Sequence, residues 1–130
     1  MITQSEITRL LELARKASQN AYAPYSKYAV GAAVMDEQDR IFTGCNIENA
    51  SYGLTICAER TAIFNARCNG AVRFKAIAVY TPKPPLPVPC GACLQVMAEG
   101  GNRPVVIVGC HEEQERIFAF EDLLPKAFSL

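Results

Sequence analysis

The amino-acid sequence predicts an α/β fold, a mixed five-stranded sheet with helices on both faces in an α/β/α sandwich. Three observations carry this. Apolar residues recur with a helical period in some segments and in short strand-like runs in five others. The two kinds interleave in the order helix, hairpin, helix, strand, helix, then strands. A length of 130 residues, 50% of them hydrophobic, suffices for one compact domain with a buried core and leaves no room for a second. Residues 1–130 are therefore read as a single domain.

Thr3 and Glu6 have capping-box spacing, and Ile7, Leu10, Leu11, Ala14 and Ala17 then share one face, so an amphipathic helix is expected to about Asn20. After the turn-forming Ala23-Pro24-Tyr25-Ser26, residues 28–35 and 40–45 read as an antiparallel hairpin across the polar residues 36–39. Gly44 is expected to end or bulge the second strand. Residues 46–55 read as a loop before Ala58, Thr61, Ala62, Ile63 and Ala66 restore a helical pattern, which places Cys57 at a helix start. A strand over 74–80 leads into a proline-rich connection, residues 82–89, that cannot be helical. Residues 91–99 form a third helix stopped by Gly100-Gly101, with Cys90 and Cys93 in its first turn. Strands over 104–110 and 116–120 and a brief helical turn over 121–124 complete the chain. A right-handed strand-helix-strand crossover is expected, with ligands beyond the carboxyl ends of the parallel strands.

Thirteen basic residues balance thirteen acidic ones, which gives no bulk attraction to nucleic acid or anionic membrane and favours a small neutral partner. No apolar run approaches the roughly 20 residues that span a bilayer, and Gln4, Ser5 and Glu6 lack a signal-peptide pattern. A cytoplasmic protein is expected. In that reducing setting, clustered cysteines point to metal or redox chemistry more than to disulfides. Cys45, Cys68 and Cys110 stand alone among apolar or strand-like residues and are read as buried structural thiols.

The other three cysteines have the spacing of a metal site. Cys90 and Cys93 converge on one helical turn, and Cys57 arrives from another helix start. Catalytic zinc keeps three protein ligands and an open position for water, and three thiolates meet that count. The single histidine, His111, lies far from both motifs among Glu112 and Glu113, so an all-cysteine Zn²⁺ site is expected. Helix N-termini help to hold thiols deprotonated. Arg60 is placed to donate to the sulfurs and draw charge from a site with formal charge of minus one, although a solvated arginine would have the same spacing. Glu59, two residues after a ligand, can reach the open position and is the general acid/base candidate; a glutamate merely complementing the helix dipole fits the spacing too. A structural zinc domain closed by a fourth ligand, or a thiol-disulfide enzyme on Cys90 and Cys93, are alternatives. No further cysteine has ligand-like spacing for the first, and the second leaves Cys57-x-Glu59 unexplained.

Cys-x-Glu followed by Pro-Cys-x-x-Cys is the order found in zinc deaminases. Together with Ala23-Pro24-Tyr25-Ser26-Lys27-Tyr28, Val30-Gly31-Ala32-Ala33, Gly44-Cys45-Asn46-Ile47-Glu48-Asn49-Ala50, Cys57-Ala58-Glu59-Arg60-Thr61-Ala62, Pro89-Cys90-Gly91-Ala92-Cys93 and Leu123-Leu124-Pro125-Lys126-Ala127-Phe128, the sequence resembles the small homotetrameric cytidine deaminases over nearly its whole length. The resemblance implies a cytidine deaminase-like fold and hydrolytic deamination of cytidine and deoxycytidine in pyrimidine salvage, with Zn²⁺ as the sole cofactor. It implies that Asn46 and Glu48 hold the ribose, that Glu48 would repel a 3′-phosphate and so favour free nucleosides, and that Tyr28 stacks on the pyrimidine. It also implies that the Ala58 backbone amide lies near the attacking water, and that Tyr52 and Phe128 complete sites shared between subunits of a homotetramer. Two positions depart from the family: Tyr28 where phenylalanine is usual, and Leu94 where arginine follows the second cysteine of the pair. Those departures motivate an alternative substrate, a modified cytosine nucleoside or nucleoside antibiotic.

Overall fold

The Thr3 hydroxyl accepts from the Glu6 N–H at 3.2 Å while the Glu6 carboxylate accepts from the Thr3 N–H at 2.9 Å. This capping box satisfies two otherwise unpaired groups and opens α1 (Gln4–Ser18), which ends slightly before the expected Asn20. The structure, a computed structural model, describes all 130 residues.

Five strands follow, β1 (Gly31–Asp36), β2 (Ile41–Cys45), β3 (Phe74–Thr81), β4 (Val105–Cys110) and β5 (Arg116–Phe118), in the spatial order β2-β1-β3-β4-β5. β1 runs antiparallel to β2 and β3, β3 and β4 are parallel, and β5 returns antiparallel to β4, giving the mixed sheet expected. The remaining helices are α2 (Ala58–Cys68), α3 (Gly91–Ala98) and the short α4 (Phe120–Leu123). Side chains alternate across the central strands. Val34, Ile77, Val79, Val106 and Val108 meet α2 and α3 on one face. Met35, Ala76, Ala78 and Ile107 meet Ile7, Leu10 and Ala14 of α1 on the other. Each large aliphatic side chain fully removed from water here contributes about 1.5–3 kcal/mol.

Three local expectations differ from the structure. The first strand begins at Gly31, not at residue 28, because the Asn46 side chain takes its place in pairing the backbone: Nδ2 donates to the Tyr28 carbonyl at 2.8 Å and Oδ1 accepts from the Val30 N–H at 2.9 Å. Residues 28–30 thus lie outside the regular strand, although the Val30 carbonyl still accepts from the Asn46 N–H at 3.2 Å, and Tyr28 and Val30 face a cavity. Gly44 neither ends nor bulges β2; it pairs with Ala32, and a Cβ there would lie 2.4 Å from the Ala62 nitrogen. α2 therefore rests on bare strand backbone. Of the three lone cysteines only Cys110 is buried; Cys45 is half-buried and Cys68 exposed. Cys68 falls off the stripe of Ala58, Ala62, Ile63 and Ala66 that faces the sheet, since it sits about 200° around the helix from Ala66.

β2 leads through a loop into α2, and β3 leads through the proline-rich connection into α3. Because α2 and α3 pack against each other, the two connections bring both helix starts together.

Candidate active site

Cys57 is the residue just before α2 and Cys90 the residue just before α3, both with extended backbone and neither capping its own helix. Cys93 follows one turn into α3. Their three sulfurs lie within 4.8 Å of one another, and those of Cys90 and Cys93 are 3.7 Å apart. Two sulfurs at about 2.3 Å from one tetrahedral zinc stand about 3.8 Å apart, so the donor set and its spacing fit this ion. Cys93 is fully buried, Cys57 half-buried and Cys90 exposed, which gives the group a protected base and an open front.

Arg60 Nη2 donates to Cys57 Sγ at 3.4 Å. The Cys57 thiol is drawn down to about 5, first by the hydrogen bond from Cys93 and then by Arg60, against the effect of burial. Cys93 is pushed up because it is the donor in that bond and is buried beside Glu59. The same sulfurs hold Arg60 above its usual range, so its positive charge is permanent. Its Nε is buried without a partner, at a cost of about 1–3 kcal/mol that the charged contact to sulfur offsets.

Glu59, in the first turn of α2, is only 5% exposed. Burial, reinforced by the Cys57 charge, pushes its carboxyl up to about 7, in spite of a hydrogen bond to backbone that lowers it. A carboxyl that titrates near neutrality beside a metal-binding group is suited to take and return protons.

These groups face a cavity of about 260 Å³ lined by Cys57, Ala58, Glu59 and Cys90 on the helix side, and by Ser26, Tyr28, Val30, Asn46 and Glu48 opposite them. Pro87 and Val88 of the proline-rich connection also line it, with Thr55 and Ile56. Glu48 Oε1 accepts from the Tyr25 and Ser26 N–H groups at 2.9 and 3.1 Å, and Oε2 accepts from the Ser26 hydroxyl. These donors, the Ser26 hydroxyl foremost, hold its carboxyl below the usual range. A carboxylate has about four acceptor sites, so Oε2 keeps capacity for a ligand hydroxyl, and the Asn46 amide likewise keeps one N–H and one lone pair. The Tyr28 hydroxyl donates to the Pro85 carbonyl at 2.5 Å and so is committed within the chain.

The fold therefore gathers Cys57, Ala58, Glu59, Cys90, Tyr28, Asn46 and Glu48 around one space, with Cys93 and Arg60 behind it. It does not bring Tyr52 or Phe128 to that space. Tyr52 is 76% exposed and packs edge-on against Tyr25 with ring centres 5.9 Å apart. Phe128 is 69% exposed on a C-terminal tail held by a 2.9 Å bond from Gln95 Nε2 to its carbonyl. Leu94 is 5% exposed inside the core, where an arginine would have to bury its charge. His111 is exposed and pairs only with Glu112. Sequence reasoning missed Ser26, Val30, Thr55, Ile56, Pro87 and Val88 as cavity residues. The direct run of Pro87 and Val88 into Cys90 was a signal for that pair; the Ser26–Glu48 contact spans 22 residues and had none.

Residues 4–109 match the family model of the cytidine and deoxycytidylate deaminase zinc-binding region. A cytidine deaminase from Sporosarcina psychrophila is 44% identical over 126 residues, which cover 95% of this chain and 92% of that protein. One from Halalkalibacterium halodurans is 46% identical over 123 residues, 92% of each. The 1.6 Å crystal structure of cytidine deaminase from Burkholderia pseudomallei superposes with a TM-score of 0.88 at 45% identity, covering 98% of this chain and 100% of that one. With its fold, its three-sulfur group and these matches in agreement, the chain belongs to the cytidine and deoxycytidylate deaminase family.

Proposed function

We propose that this chain, acting as a single domain over residues 1–130, hydrolyses cytidine and deoxycytidine to uridine and deoxyuridine with release of ammonia, in pyrimidine salvage in the cytoplasm. The observation that carries the reading is the buried Glu59 carboxyl beside a three-sulfur group of zinc-like spacing at the cavity. Cys57, Cys90 and Cys93 would hold Zn²⁺. When bound, zinc supplies a Lewis acid that makes a water molecule acidic enough to lose a proton near neutrality.

Glu59 takes that proton and gives it to N3 of the cytosine as C4 is attacked, then takes the remaining proton of the hydroxyl now on C4 and passes it to the amine, so that the C4–N bond breaks, ammonia leaves and the C4 carbonyl forms. Its carboxyl, pushed up to about 7, suits both directions of transfer. Arg60 keeps positive charge against Cys57 and so limits the negative charge that three thiolates build up. The Ala58 backbone N–H, at the positive end of α2 on the cavity wall, would donate to the attacking oxygen. Tyr28 offers its ring to the pyrimidine, while Asn46 and Glu48 bind the ribose through their remaining hydrogen-bonding capacity. A 3′-phosphate would meet the Glu48 carboxylate, so free nucleosides are the substrates.

Tyr52 and Phe128, both outward-facing aromatics, complete neighbouring sites in a homotetramer. Neither departure leaves a free polar group in the cavity: the Tyr28 hydroxyl is committed to the Pro85 carbonyl, and Leu94 is in the core. Plain cytidine is accordingly preferred to enlarged cytosine nucleosides. Ammonia release from cytidine, deoxycytidine and bulkier cytosine nucleosides tests this, and turnover of the bulky compounds with none of cytidine would refute it.

A further inference from the structure

We propose that the Tyr28 hydroxyl clamps the proline-rich segment between β3 and α3, and thereby sets how firmly the cavity closes around its ligand. The inference rests on the reading of this cavity as the cytidine site. Residues 82, 84, 85, 87 and 89 are prolines, so most of the segment has no N–H with which to bond to the sheet or a neighbouring loop. Its amide Val88 N–H bonds internally to the Leu86 carbonyl at 2.9 Å. The one hydrogen bond that ties residues 82–89 to the rest of the chain is the 2.5 Å bond from Tyr28 Oη to the Pro85 carbonyl, across 57 residues of sequence. At the root of the segment the Thr81 hydroxyl donates to the Ala29 carbonyl at 2.8 Å. Residues 28 and 29 therefore grip the connection at two points.

The connection is part of the site on two counts. Pro87 and Val88 line the cavity, and the chain runs from them directly into Cys90. Pro87 and Pro89 are buried and anchor the end next to α3 by packing, whereas residues 82–85 are exposed and depend on the clamp. Tyr28 also lines the cavity, so one side chain offers a ring to the ligand and holds the opposite wall. Phenylalanine keeps the ring and lacks the donor. Tyr28 is in this respect a positioning residue: loss of the hydroxyl lowers the fraction of protein with the wall in place, and apparent affinity falls with that fraction.

The test compares zinc-loaded wild type with Tyr28→Phe, measuring cytidine kinetics, zinc content and amide exchange. A hydrogen bond of ordinary net strength predicts a KM raised about fivefold, with kcat within about twofold of wild type. Zinc content stays the same. Exchange accelerates at Val88, whose N–H is bonded within the segment, and stays unchanged in β4. An unchanged KM overturns the proposal, as does unchanged exchange at Val88 or exchange that rises equally in β4. Wild type inert toward cytidine would instead overturn the functional reading, and the exchange comparison would then decide the clamp on its own.

Discussion

Replacing Gly44 by alanine adds one methyl group where α2 rests on the sheet. The added Cβ would stand 2.4 Å from the Ala62 nitrogen and 2.8 Å from the Thr61 carbonyl carbon and Cβ. Unstrained contact needs about 3.4 Å or more, so α2 must retreat by about 1 Å. The obstructing atoms include helix backbone, which cannot rotate away. Overpacking of this kind costs about 1–3 kcal/mol. α2 carries Cys57 and Glu59, whereas Cys90 and Cys93 belong to α3, so the retreat separates two halves of one site. Misplacement by about 1 Å costs reactions that depend on alignment on the order of 100-fold in rate. Urea unfolding with parallel cytidine turnover measures both effects. Loss of stability in that range with turnover near wild type would refute the claim that the α2–β2 contact positions the site; unchanged stability would refute the close contact itself.

Further outcomes follow from the same geometry. Glu59→Gln retains the three sulfurs and is expected to bind zinc normally while kcat falls by about 10²–10⁴-fold, the range for loss of a general acid/base; metal analysis beside steady-state kinetics checks it. Cys57→Ala removes one of three donors and is expected to lose zinc and activity together, read as zinc per chain after dialysis. Burial raises the Asp36 carboxyl, but hydrogen bonds from the Arg40 backbone and side chain and the Gln38 N–H outweigh it and hold the group below its ordinary 3.8. The folded state therefore favours ionised Asp36, whose stabilisation is present above the unfolded pKa and lost as pH falls through the folded one. Asp36→Asn should lower stability at pH 7 and narrow the gap to wild type in acid, measured by thermal unfolding across pH.

Local rules made much of this molecule legible. Thr3 and Glu6 mark a helix start because both halves of the capping box lie within one turn. Cys57-x-Glu59 and Cys90-x-x-Cys93 stand out in the sequence as short spacings, and the fold brings the three sulfurs within 4.8 Å of one another with Glu59 on the same cavity. What escaped depends on partners distant in sequence. Tyr28 leaves the strand because Asn46, 18 residues on, bonds its carbonyl, and its hydroxyl finds Pro85 across 57 residues. Gly44 reads as a strand breaker until α2 is seen to lie against it. Cys68 looks apolar in sequence and is exposed because the buried stripe of α2 passes it by.

Tyr52 and Phe128 are exposed and do not line the cavity of their own chain, so the proposed homotetramer has a direct check: sedimentation of Tyr52→Ala and Phe128→Ala should show weakened assembly together with lower turnover. The activity proposed for this chain is a metal-dependent hydrolysis by the three-sulfur group and Glu59. Conversion of cytidine to uridine, followed by absorbance on the purified chain as loaded with zinc, after chelation and after zinc is restored, tests it most directly. Turnover is expected to be lost with the metal and recovered with it; undiminished turnover in the fully chelated protein would contradict a metal-dependent hydrolysis.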